Sequence, residues 1–134
     1  MSHFTEKEIA YLASQRLGRL ATLNAAGEPH VVPVTYRYNP ALDTIDIAGY
    51  GMGASKKFRD VARDGSVAFV VDDVPQPRQV RGVEVRGIAE ALPTGGNTDV
   101  PDRDPELIRI HPRRIVGWGI DTDPYHPHSR SASE

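Results

Sequence analysis

Apolar residues recur at two spacings along this chain, and each spacing predicts a different element. Thr5 is followed three residues later by Glu8, the reciprocal capping arrangement that starts helices, and Ile9, Leu12 and Ala13 then share one helical face. Residues 5–16 read as one amphipathic helix. From Gly18 the period becomes two: GRLATL runs to the AAGE turn at 25–28, and PHVVPVTYRY at 29–38 returns as the second arm of a hairpin. Pro33 has no N–H to give to a ladder, so within that arm it marks an edge, a bulge, or a place where something other than a strand meets the backbone. Asn39-Pro40 opens a turn, and TIDIA at 44–48 is a third strand.

Gly49, Gly51 and Gly53 then break the pattern, after which Ser55 caps a short helix carrying Phe58, Val61 and Ala62 inward. SVAFVVDD at 66–73 reads as a buried strand and RGVEVRGIAEAL at 81–92 as a fifth, separated by a loop holding Pro75 and Pro77. A polar loop at 93–104 precedes LIRIHPRRIVGWGI, an extended segment interrupted at Pro112. Residues 122–134 have the composition of a disordered tail. About six short strands and two short helices, in one domain over residues 1–121, predict a mainly β protein: an antiparallel barrel with helices at its ends.

Composition narrows the chemistry. The 134 residues include no cysteine, which excludes disulfides, thiolate metal sites and cysteine nucleophiles and makes a reducing cytoplasm the expected location. No segment has the length and apolar character of a membrane span or the layout of a signal peptide. A net charge of −2 and few aromatic residues argue against nucleic acid as a partner. No G-x-S-x-G elbow supplies a hydrolytic nucleophile, and the H-x-H of His126 and His128 lacks acids at metal-ligand spacing.

The densest chemistry lies in GYGMGASKK. Glycines let a ligand approach the backbone, Ser55 offers a hydroxyl at a helix start, and Lys56 and Lys57 are two of only three lysines in the chain. Together these predict a phosphate cradle. Gly49, Gly51 and Ala54 also fit G-x-G-x-x-[GA] after a strand, but the helix that follows is too short for a dinucleotide-binding crossover, and a second βαβ unit is lacking. His30 and Trp118 are packing residues by default and ligand contacts otherwise.

The ordered set of a helix, GRLATLNAAGEPHVVPV, SKKFRDVARDGSVAFVVDD, VEVRGIAEAL and LIRIHPRRIVGWG resembles the pyridoxamine-phosphate-oxidase-like split β-barrel family, over roughly residues 5–121. It is most similar to the short actinobacterial branch of flavin and deazaflavin oxidoreductases, which use FMN or coenzyme F420. The resemblance implies a six-stranded antiparallel split barrel and a homodimer with cofactor at its interface. The expected activity is hydride transfer between the reduced cofactor, F420 or alternatively FMN, and a small unsaturated substrate. It places the cofactor phosphate at Ser55, Lys56 and Lys57, and the ring against His30, Val32, Pro33, Val34, Ala48 and Gly49. Val32 and Val34 are read as an alternating pair, one facing the ring and one the core, and Trp118 as a contact from the partner subunit. Gly82 stands where vitamin oxidases of the family carry glutamine, and their C-terminal substrate-binding extension is not matched, which counts against pyridoxamine-phosphate oxidation. A non-catalytic flavin or deazaflavin carrier or sensor is the alternative.

Overall fold

The computed structural model describes residues 2–132. Helix α1 (Glu6–Ser14) starts as its sequence dictates: the Thr5 hydroxyl accepts from the Glu8 amide and the Glu8 carboxylate accepts from the Thr5 amide. Strands β1 (Gly18–Leu23), β2 (Pro29–Val34), β3 (Arg37–Asn39) and β4 (Thr44–Ile47) follow. Helix α2 (Lys56–Arg63) leads into the long strands β5 (Ser66–Asp73), β6 (Arg81–Leu92) and β7 (Leu107–Trp118), and β8 (His128–Ser131) comes last. The strands form one sheet in the order β2-β1-β5-β6-β7-β4-β3, with β8 beside β7, and the pairings are antiparallel. β2 and β3 end the sheet and are not bonded to each other, so the barrel is split along that seam.

Eight strands stand where six were expected, for two reasons. The arm at 29–38 divides because the chain crosses the seam at Thr35–Tyr36, leaving β1 for β4. Tyr36 turns inward there, donating its hydroxyl to the Leu12 carbonyl at 2.6 Å and meeting the Phe69 ring edge-on at 5.2 Å. The second reason is the segment at 122–134, expected to be a disordered tail beyond a domain ending at 121. Residues 128–131 instead pair with β7, and the Ala132 amide donates to the Arg113 carbonyl. Residues 1, 133 and 134 lie outside the described residues.

Pro112 does not interrupt β7. The register shifts beside it, Arg86 facing Arg114 while Gly87 faces Pro112, so one extra residue bulges and the strand continues. Pro33 sits on the edge strand, where a missing N–H leaves no inner ladder incomplete. Inside, Leu12, Leu20, Ile45, Ile47, Phe69, Val71, Val83, Val85, Ile108, Ile110 and Ile115 are essentially inaccessible to solvent.

Buried charges are individually matched. Glu8 is bound by Arg130 of β8, and Asp60 takes a bond from Thr22 at 3.0 Å and one from Arg63 at 3.1 Å. Asp46 accepts two bonds from Arg109, each 3.1 Å, as well as bonds from Asn39 and Thr44. No helix is long and apolar enough to cross a membrane among the described residues.

Candidate functional site

After Ile47 the chain leaves the sheet and needs a tight detour to reach α2. Gly51, with φ of +67°, takes the left-handed turn that a side chain would resist. Gly53 lies so close to the Glu106 carboxylate that a Cβ there would come within 2.6 Å of its carbon. Met52 is 2% exposed and anchors the loop in the core, whereas Tyr50 at its tip is 71% exposed. The Ser55 hydroxyl donates to the Met52 carbonyl at 2.6 Å and accepts from the Phe58 amide at 3.3 Å, which closes the turn and caps α2.

Between this loop and the end of β2 lies a pocket of about 290 Å³. Its apolar walls are Pro33, Val34, Ile47, Ala48 and Met52, with Gly49, Thr35 and Tyr50 at the rim and Lys57 and Arg103 as its two cations. Burial lowers the Lys57 pKa from its ordinary value. A second, more polar pocket of about 150 Å³ adjoins the first, sharing Thr35, Ala48 and Arg103 with it, and Arg37, Asp46, Asp99 and Arg109 lie along it.

The fold thus brings together Pro33, Val34, Ala48, Gly49 and Lys57 of the residues singled out from sequence. The others lie elsewhere within this protomer. Lys56 points to the opposite side of α2, where its ammonium stands 3.6 Å from Asp60 and lines a recess with Arg59, Arg63 and the β1–β2 turn. The Ser55 hydroxyl is engaged as a helix cap. Val32 and Val34 do not alternate: two residues apart on a strand, they share a face with His30, while Pro29, Val31 and Pro33 face outward. Val32 packs against the core, and the His30 Nδ1 is buried with no hydrogen-bond partner among the described residues. Trp118 caps the far end of β7, its indole filling the space a Gly82 side chain would occupy. About ten residues of strand, roughly 30 Å, separate it from Ile108 at the pocket end.

Arg103 and Tyr50 escape sequence reasoning. PDRDPE around Arg103 reads as a solvated turn, and only a long-range contact, the Asp104 amide donating to the Gly49 carbonyl at 3.1 Å, sets it against the pocket. Tyr50 has no periodic neighbours; flanking glycines are its one local signal.

Comparison with known proteins places this geometry in context. Residues 4–119 match the family described as pyridoxamine 5'-phosphate oxidase. A curated relative from Streptomyces rimosus subsp. rimosus, named 5a,11a-dehydrotetracycline/5a,11a-dehydrooxytetracycline reductase, is 57% identical over 122 residues, covering 90% of this chain and 86% of the relative. Among solved structures, the conserved hypothetical protein Rv2991 from Mycobacterium tuberculosis superposes with a TM-score of 0.69 at 24% identity, over 98% of this chain and 93% of its own. The FAD binding protein from Mycobacterium smegmatis gives a TM-score of 0.65 at 20% identity, over 87% and 96% of the two chains. At these identities the two structures speak for the shared fold.

Proposed function

Since this chain belongs to the pyridoxamine 5'-phosphate oxidase family, we propose that it is an oxidoreductase that holds a flavin-type cofactor, coenzyme F420 or alternatively FMN, in the pocket beside β2 and the glycine loop. The observation that carries the reading is the 57% identity to a protein named as a reductase of 5a,11a-dehydrotetracycline and 5a,11a-dehydrooxytetracycline; a small unsaturated organic molecule is the proposed substrate here.

The residues present fit such a group. Pro33, Ile47, Ala48 and Met52 offer a dry face for a flat ring, and Lys57 and Arg103 offer positive charge for an anionic tail. When bound, the cofactor supplies the hydride chemistry. The chain supplies binding, orientation and exclusion of water. That division of labour asks little of individual side chains beyond placing the cofactor and its substrate. The same reading includes a homodimer in which Trp118 of one protomer reaches the other's cofactor. It is supported by the outward face of β1, β2 and β5, where Val31, 63% exposed, lies in register with Ala21 and Ala68.

Titrating the purified protein separately with FMN and coenzyme F420, then mixing the reduced cofactor with a dehydrotetracycline-type acceptor under single-turnover conditions, tests the reading. Saturable binding of one cofactor and its reoxidation by the acceptor are expected. Binding without reoxidation by any acceptor points to a carrier or sensor, and binding of neither overturns the assignment.

A further inference from the structure

The pair of lysines that marks the cradle in sequence is split by the helix that carries it. Lys56 is directed to Asp60, itself also bound by Thr22 and Arg63, and faces a recess on the far side of α2. Lys57 faces the pocket, so one half of the expected charge is missing from it. The other positive charge in that wall comes from the β6–β7 loop: Arg103 is half-buried where the two pockets meet.

Among the described residues, neither the Lys57 ammonium nor the Arg103 guanidinium has a hydrogen bond or ion pair. Of the carboxylates that line the two pockets, Asp46 is bound by Arg109 and Asp99 by Arg37 at 3.2 Å. Two half-buried cations that converge on one cavity from separate segments, neither held in an ion pair, form a site that an anion would complete. Their placement is fixed by backbone. Beside Arg103, the Asp104 amide is bonded to the Gly49 carbonyl, the Gly96 amide closes the loop onto the Pro105 carbonyl at 2.8 Å, and Glu106 lies over Gly53.

We propose that Arg103, and not Lys56, is the partner of Lys57 in gripping the ligand's anionic group, a phosphate ester. The guanidinium presents a two-pronged donor to phosphate oxygens while Lys57 acts as a point charge from the other side. This inference rests on the cofactor reading, and it adds a specific ligand from a loop that the phosphate motif does not include.

The test uses the full chain and whichever of FMN and coenzyme F420 binds the native protein more tightly, each compared with its phosphate-free ring compound. Arg103→Gln is expected to weaken binding of the phosphorylated cofactor by roughly ten- to a hundred-fold and that of the bare ring by no more than about two-fold. Lys56→Gln is expected to change neither by more than about two-fold. Arg103→Lys should recover part of what Arg103→Gln loses. The Arg103 side chain has no partner whose loss would unfold the protein, and an unchanged far-UV circular dichroism spectrum verifies this. If Lys56→Gln costs more than Arg103→Gln, if the bare ring suffers equally, or if Arg103→Lys restores nothing, the assignment of Arg103 is wrong while the cofactor reading stands. If the native chain binds neither cofactor, both fall.

Discussion

Pro33 and Val34 are adjacent in sequence, yet they meet a ligand under opposite constraints. Val34 is 5% exposed and belongs to the core, while Pro33 faces out of the edge strand. Bulk therefore acts differently at each. Val34→Trp overpacks the core and is expected to lower stability by about 1–3 kcal/mol, seen as a drop in melting temperature along with lost ligand binding. Pro33→Trp spares the core and should lower the melting temperature less than Val34→Trp does, because no second strand needs its backbone, and should abolish cofactor binding by filling the pocket. A Pro33→Trp variant that stays folded and still binds would move the ring away from β2. The sequence shows the residue types of this wall plainly. The face that each presents depends on register, and the two-residue period puts Val32 beside Val34 rather than across from it.

Elements were legible where the signal is local and obscure where it is distant. The Thr5–Glu8 box fixes the start of α1, and Ser55 fixes the start of α2, because each cap involves residues only three positions apart. The crossing at Tyr36 and the strand β8 depend on partners far along the chain, which neither propensity nor periodicity reports. Glu8 shows both kinds of signal. It is 1% exposed, and its charge is met by Arg130, 122 positions away. Arg130→Ala leaves that carboxylate buried without its counter-charge and is expected to cost about 3 kcal/mol in urea unfolding. Arg130→Ala combined with Glu8→Gln should cost less than the sum of the two single changes, since each removes the same contact. Additive losses would mean that β8 holds α1 by packing alone. For the site, the glycines and Lys57 were legible for the same reason of locality. Arg103 was not, because contacts between loops far apart in the chain deliver it, the Asp104–Gly49 hydrogen bond among them.

At the scale of the whole molecule, acid sensitivity and assembly follow from charges and faces already described. Burial works to raise the Asp46 carboxyl, but bonds from Arg109, Asn39 and Thr44 outweigh it and hold the carboxyl below its ordinary value. Asp43, Asp60 and Asp73 are lowered as well. A group depressed on folding contributes its full stabilisation above the unfolded-state value, near pH 4, and loses it as pH falls through the lower folded value. The melting temperature should therefore be insensitive to these groups from about pH 5 upward and fall steeply below about pH 4. Asp46→Asn should lower it at neutral pH and make the acid limb shallower; an acid limb as steep as the native one would remove Asp46 from the account. The apolar patch of Ala21, Val31 and Ala68 on the outer face of β1, β2 and β5 predicts a homodimer in solution, to be checked by light scattering at micromolar concentration. A stable species of 14.7 kDa would mean that the site is complete within one protomer.

The contact between Glu8 and Arg130 also has a bearing on biosynthesis. Domains commonly begin to fold from their N-terminal side while still being translated. Here the first helix carries a carboxylate whose counter-charge is encoded 122 positions later, so α1 cannot settle against the barrel at full strength until Arg130 has left the ribosome. The full-strength docking of α1 is thereby tied to a strand encoded 122 positions after it.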